Sequence, residues 1–326
     1  MSRCPPTGSY VPPPRPVLAA QAGWRAIVAA LSLAAEASVW SVDNLAPDER
    51  RRLARHEAEA AVLSGRQVVE LGDGFLVVDP AGTESWRSWA AGLDLPAGQS
   101  AFDRRLGELI TVFGAHGRRP SIRVDLRADT PEDLDRRLTA HGFRASDASL
   151  RMWFPARRLE AVVSAADVRR GSARAAGQHS DVTLEFIGGR GDSDIDAADP
   201  RIEDAIDVMA AAFGVAPRRG AELRAGMSSG MTVGLARAGG IAVAAGRSAL
   251  IGEAAYLSAI GVDPRWRRRG FGRLITAALS VAAIRGGAVV VHLNVDPANS
   301  TAWQMYQSLG LLAATPAVTR FVLRGR

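Results

Sequence analysis

No lysine occurs anywhere in the 326 residues, so all 40 basic side chains are arginine. A uniform preference of that kind points to genomic composition rather than to a nucleic-acid surface. The formal net charge is only +6, aromatic residues make up 6%, and aromatic and basic residues are not interleaved, so nucleic-acid binding is not expected. Cysteine is nearly absent as well. A single thiol, Cys4, excludes an intramolecular disulfide and a cysteine-based metal site, and it suits a reducing cytoplasm. Long apolar runs are missing too. The longest, Ala26 to Ala35, is about half of what a membrane span needs and has no cleavage pattern behind it. The expectation is a cytoplasmic protein without membrane association.

What is present has globular proportions: 47% hydrophobic and 23% charged residues. The length suits two domains of about 150 residues each. A proline-rich tail, 1–18, reads as disordered. Helical patterning follows to about Leu63, with Pro47 near the start of a second helix. "RQVVEL" and "GFLVVDP" read as strands around a Gly72-Asp73-Gly74 turn. A helix at 103–116, a strand at 121–126, a helix at 131–141 and a strand at 149–154 complete a first unit over 19–155. An Ala/Arg-rich linker, 156–180, leads to a second unit over 181–326. There the order is strand (181–187), helix (203–213), three strands to Val262, helix (273–285), strand (288–295), helix (300–308) and strand (318–323).

The two units end alike. A shift of 168 residues lays "SIRVDL" on "VVVHLN" and His141-Gly142-Phe143 on Leu309-Gly310-Leu311. Helix, strand, helix, Gly-apolar and strand recur in the same order, which reads as a structural repeat.

Two blocks carry chemistry. Arg267-Arg268-Arg269-Gly270-Phe271-Gly272 lies between a β-rich run and an amphipathic helix. A helix start leaves several amides without intrahelical acceptors and carries about half a positive charge. Glycines there let a diphosphate approach those amides. With so much arginine and glycine this pattern is expected about 0.4 times by composition alone, so it needs support. The second block supplies it: "VDPANSTAWQMYQSLGL" holds Asn299, Ala302, Tyr306 and Gly310. Asparagine and tyrosine each occur three times in the chain, so N-x-x-A-x-x-x-Y-x-x-x-G would arise by chance on the order of 0.001 times.

Together the blocks resemble the GNAT superfamily of acyl-CoA-dependent N-acyltransferases, specifically over 250–323 and more loosely from 181. The resemblance implies an α/β (α+β) fold of two tandem GNAT-like domains. Each would have a mixed, mostly antiparallel sheet flanked by helices, with a splayed central strand pair in the C-terminal one. It implies acetyl-CoA as co-substrate and no metal. Ile260, Gly261 and Val262 would pair with the pantetheine arm; Arg267, Arg268, Arg269, Gly270, Phe271 and Gly272 would hold the pyrophosphate. Asn299 would reach the CoA arm, and Tyr306 would protonate the departing thiolate. The acceptor would be a primary amine, by preference that of a small molecule, attacking the thioester directly. A homodimer stays open. The base is left open too: where some members carry a strand glutamate this chain has Tyr256, with Glu253 nearby. That departure keeps alive an alternative, a catalytically silent acyl-CoA-binding regulatory or structural protein.

Under the same 168-residue shift, Gly270 falls on Phe102, Gly272 on Arg104, Asn299 on Pro131 and Tyr306 on Leu138. The first unit therefore reads as a degenerate copy that packs against the second or shapes its acceptor pocket. Asp192, Asp194, Asp196 and Glu203 imitate a calcium loop but lack its glycine, so no metal is expected. His292 reads as a strand histidine, and Trp86, Trp89 and Trp153 as N-terminal packing.

Overall fold

A computed structural model describes residues 45–82, 84, 86–156, 182–189, 199–214 and 218–324. The proline-rich tail, most of the linker and the aspartates of the calcium-like loop lie outside them. Eleven strands form one continuous mixed sheet in the order β1-β2-β3-β4-β11-β5-β10-β9-β8-β7-β6. In the first half, helix α1 (Pro47–Val62) precedes β1 (Gln67–Glu70), β2 (Phe75–Val78) and β3 (Trp89–Ala91). Helix α2 (Gln99–Ala115), β4 (Ser121–Val124), α3 (Leu134–Ala140) and β5 (Phe143–Pro155) follow. The second half contains β6 (Val182–Gly188), α4 (Pro200–Phe213), α5 (Arg218–Ser228), β7 (Thr232–Ala238), β8 (Ile241–Ile251) and β9 (Ala254–Val262). It closes with α6 (Phe271–Arg285), β10 (Val290–Val295), α7 (Ser300–Ser308) and β11 (Leu312–Leu323).

Each half lends its last strand to the other. β5 lies between β10 and β11, and β11 lies between β5 and β4. The two long strands run antiparallel, with Phe143 opposite Leu323 at one end and Trp153 opposite Leu312 at the other. Both were expected to be shorter. β5 begins six residues before the expected 149, because β11 supplies partners from Phe143 to Trp153. β11 passes Pro316 at a break in register between Ala314 and Val318, a position where a strand tolerates proline's missing amide. The order of elements in the two halves matches the 168-residue repeat. α2, however, starts at Gln99, about one turn earlier than α6 does under that shift.

One face of the sheet carries α2 and α3 in the first half and α6 and α7 in the second. Leu274, Ile275 and Leu279 of α6 pack there on Leu257, Leu293 and Val295. The other face carries α1, α4 and α5. α1 spans both halves: Ala58 packs with Phe75, Val77 and Trp89, while Leu53 packs with Trp153, Ala254 and Val290. Trp153 therefore joins the halves rather than serving the first alone.

α1 also brings His56 against His292 of β10, Nδ1 to Nε2 at 2.8 Å, with His292 fully buried. Burial lowers both pKa values below the ordinary 6.5, most strongly for His292, where the neighbouring His56 and Arg151 add to the effect. The unfolded chain therefore takes up protons that the native protein refuses. The pair's contribution to stability is complete above about pH 6.5 and falls as the pH drops below it, by up to about 1.4 kcal/mol per pH unit for each histidine. Asp129, whose carboxyl is raised to about 7 by burial, works the other way over the same window and offsets part of the fall. Urea denaturation between pH 8 and 5 is expected to show this fall. A His56→Asn/His292→Asn variant is expected to show a flatter profile, whatever its starting stability.

Candidate active site

The parallel ladder between β9 and β10 joins Ala254–Leu257 to Val290–Leu293 and stops there. Beyond it, both strands continue without each other. β10 stays on β5 through Val295, opposite Leu150. β9 stays on β8 through Val262, opposite Ala244, after a register shift between Ala245 and Arg247. Ala259 at that irregularity has φ +51°, a left-handed conformation rare outside glycine, and a bulge of this kind bends a strand. The result is a wedge-shaped gap, and a cavity of about 370 Å³ occupies it.

The exposed backbone of β9 faces this gap. The Asp263 amide donates to the Val243 carbonyl at 3.0 Å. Alternation along an antiparallel pair then turns the Val262 amide and carbonyl the other way, toward the side where β10 has diverged. Arg267 reaches that end of β9, its Nε 3.4 Å from the Val262 carbonyl and its Nη2 3.0 Å from that of Ala212. Gly261 packs without a side chain against α4: a Cβ there would lie 2.8 Å from Ala212 Cβ and 3.1 Å from the Phe213 ring.

The arginine–glycine turn sits just beyond. Arg268 (φ +64°) and Gly270 (φ +89°) are both left-handed, and Gly270 caps α6 without any side-chain hydrogen bond. A helix start of this kind presents its amides outward. Arg269 stacks over Trp266 at 4.8 Å, and the Phe271 side chain is buried in the core. If Phe271 takes part in holding a ligand, its backbone is what does so. A Cβ on Gly272 would stand 3.5 Å from Val262 and 3.9 Å from Met305, so the turn, the end of β9 and α7 converge.

α7 completes the wall. Asn299 is its N-cap, accepting from the Ala302 amide at 3.2 Å through Oδ1. Tyr306 is 7% exposed, lines the cavity, and has its pKa raised by burial to about 12. A phenol so placed stays protonated across the physiological range. Ile260, Asn299 and Tyr306 thus share one cavity, with Val262 and the 267–272 turn at its end.

Other expected positions lie elsewhere. Tyr256 is on β9 within the paired region, its hydroxyl 3.5 Å from Asn294, and burial plus the Glu57 carboxylate raise its pKa. It is no base at neutral pH. Glu253 is exposed in the β8–β9 turn, where its carbonyl receives the Val289 amide. Among the described residues, no group of His, Cys, Asp and Glu could hold a metal, and no helix is long and apolar enough to cross a membrane.

A family model described as FR47-like protein matches residues 232–320, from β7 into β11. Among solved structures, a GCN5-related N-acetyltransferase from Kribbella flavida aligns with a TM-score of 0.59 at 18% identity. It covers 85% of this chain and 96% of its own. A tandem GNAT protein from the clavulanic acid biosynthesis pathway aligns at 0.53 and 14% identity, covering 94% and 96%. A GCN5-related N-acetyltransferase from Sphaerobacter thermophilus aligns at 0.50 and 16%, covering 86% and 93%. No curated protein matches the sequence significantly. The chain has a tandem GNAT fold.

The GNAT gap has walls that sequence reasoning missed. Arg66 after α1, Trp86 before β3, Glu222 on α5 and Arg247 on β8 all line the cavity. Trp86 was expected to pack inside the first half, yet it is 43% exposed, with its ring in the cavity wall. The four residues lie far apart in sequence, and with 40 arginines no single one stands out. Asn294 at the mouth is held by Glu57 Oε2 at 2.7 Å, while Glu57 Oε1 accepts from Arg123 at 2.5 Å.

The glycine turn can be tested by itself. Gly270→Val forces a β-branched residue into a left-handed conformation, so CoA binding measured by calorimetry is expected to weaken by about 10-fold or more. Gly272→Ala, whose Cβ finds ordinary contacts, is expected to change affinity by less than about threefold.

Proposed function

We propose that the protein transfers an acetyl, or closely related acyl, group from acetyl-CoA to a primary amine by direct attack. One observation carries the reading: the unpaired stretch of β9 at Ile260, Asn299 and Tyr306 line a single gap between β9 and β10. A glycine helix start without a side-chain cap adjoins the end of β9, where a Cβ on Gly272 would stand 3.5 Å from Val262. An amide turned into the gap without a strand partner is free to find another acceptor, and the amide groups of a pantetheine arm suit it. The amides that begin α6, with the arginines at 267–269, suit the diphosphate. Gly270 shapes that turn by holding a left-handed conformation, φ +89°, that side chains resist.

In the reaction, the amine nitrogen forms a bond to the thioester carbonyl and the C–S bond breaks. The oxyanion formed meanwhile lies near the Val262 amide, an electrostatic contribution of the oxyanion-hole kind. The sulfur leaves as thiolate and takes the proton of the Tyr306 hydroxyl. The amine's own surplus proton passes to solvent and returns to Tyr306. A small-molecule acceptor fits a cavity closed on one side by the first half of the chain. The solved tandem GNAT protein of the clavulanic acid pathway, described as being without acetyl-CoA, supports the donor by likeness alone.

Tyr256, standing where some family members carry a glutamate, favours the second reading, a CoA-binding protein without chemistry. Turnover decides between them. Tyr306→Phe is expected to lower kcat by roughly 100-fold or more while leaving CoA affinity within about twofold. Unchanged kcat in the variant would remove Tyr306 from the acid role. CoA binding with no acyl transfer to any amine would establish the silent protein.

A further inference from the structure

We propose that the acceptor amine carries a flat, uncharged apolar group, in the simplest case an aromatic ring, and that Trp86 and Phe213 receive it. This rests on the acyl-transfer reading above. The gap opens the sheet from face to face. Asn299 and Tyr306 line the cavity from α7 on one face, while Phe213 of α4 and Glu222 of α5 line it from the other. Trp86 belongs to that second side, because its neighbour Arg87 pairs with Glu222. A donor held at the start of α6 and along α7 leaves the second face to the acceptor.

Among the described residues, the large apolar side chains left exposed are Val62, Trp86, Leu126, Phe213 and Ile241. The two aromatic ones, each 43% exposed, both line this cavity, and the three aliphatic ones do not. Apolar residues exposed singly are ordinary, but two rings in one cavity wall mark a surface for an apolar occupant. Both rings are fixed in place. Phe213 ends α4 before the left-handed Gly214, and its ring lies beside Gly261, where a Cβ would stand 3.1 Å from it. Trp86 has the Arg87 guanidinium over one face, 5.1 Å from the ring centre. Arg87 is itself buried, donating to Asp79 and Glu222, with Glu84 at 4.0 Å. The open face of Trp86 is therefore the one away from Arg87.

The cation behind the ring selects what suits that open face. An aromatic face attracts a cation through its quadrupole, and Arg87 already takes that attraction. A second cation on the open side would meet like charge through the ring. The charged groups behind this wall answer one another. Arg66 lies 3.9 Å from Asp79 and feels the Glu222 charge as well, while Arg87 joins both carboxylates. On the cavity rim, Asp296 receives the Ala298 amide at 2.8 Å. A flat uncharged group gains stacking and burial against Trp86 and Phe213 without disturbing these pairs.

Two measurements on the full-length wild-type protein test this. A thermal shift with CoA reports on the donor site; its absence at millimolar CoA would remove the acyl-transfer reading and this proposal with it. CoA release from acetyl-CoA is then followed with 2-phenylethylamine and tryptamine, and with ethylamine and 1,4-diaminobutane for comparison. At least one aromatic amine is expected to show a kcat/KM about 10- to 100-fold above both comparison amines, the scale of burying one phenyl group. If CoA binds but neither aromatic amine outpaces both, or no amine releases CoA, the proposal is overturned while the donor site stands. Trp86→Ala and Phe213→Ala are each expected to narrow the aromatic preference about threefold or more, chiefly through KM, with the CoA shift retained. Trp86→Phe, which restores a ring, is expected to keep most of it. Preference kept in full by both alanine variants would also overturn the proposal. A variant that loses the CoA shift has lost its fold, and the wild-type comparison then decides.

Discussion

Four residue pairs hold β9 and β10 together, and the site depends on there being no fifth. A parallel pair that continued would satisfy its backbone internally and leave nothing for a ligand. The separation has two anchors. β10 is held through Val295 by β5, a strand of the first half, and by Glu57 on α1 through Asn294. β9 is held by β8 and bent at Ala259. The exchange of last strands therefore does more than join two halves. It supplies β10 with a partner on its far side, so that β10 need not follow β9.

The region behind the gap is unusually charged for an interior. Arg50 and Arg151 are almost fully buried, together with Glu57, Asp125 and Asp129. Arg50 donates to both Asp125 oxygens, at 3.1 and 3.2 Å, and to the Thr315 carbonyl; Arg151 donates to the Arg50 carbonyl at 3.1 Å. Buried ion pairs of this kind recover little more than their desolvation cost, but losing one partner is expensive. Their consequence here is positional. α1 (Arg50, Glu57), β5 (Arg151) and the end of β4 (Asp125) each contribute a charged member, and β10 contributes Asn294, which donates to Glu57, so a slip of α1, β4 or β5 strands a charge. Asp129 is the exception, its pKa raised to about 7 by burial.

Much of the second half was legible in the sequence because its signals are local. Glycines before an amphipathic helix, and an asparagine, alanine, tyrosine and glycine at fixed spacing, mark where helices start and which face they turn inward. The fold class followed from the family resemblance that those two blocks carry. What remained hidden was pairing. The alternation in "SLRMWF" announces a strand but not that its neighbours come from the other half, nor that it extends back to Phe143. The far wall of the cavity was hidden for the same reason, since Arg66, Trp86, Glu222 and Arg247 meet only through tertiary packing. α5 and β3 were missed as well: one is short of apolar residues, the other only three residues long.

The first half shows what becomes of such a gap when nothing must fit in it. β3 and β4 are its parallel pair, and β3 ends at Ala91. Beyond that point Leu93, Leu95, Phe102 and Leu138 are all buried in one cluster. The 168-residue shift lays Leu138 on Tyr306, but at the helix start it fails: α2 is capped by Gly98, one turn before the Phe102 that the shift lays on Gly270, so Phe102 lies inside the helix. Burying a leucine or phenylalanine is worth about 1.5–3 kcal/mol, so closing the gap with apolar side chains is the stable solution. The second half forgoes that stabilisation at the equivalent place. It keeps tyrosine where leucine would pack, and its helix start leaves Gly270 beside the end of β9. One copy of the fold fills this place with apolar side chains and the other leaves it open, which is what the proposed donor site requires.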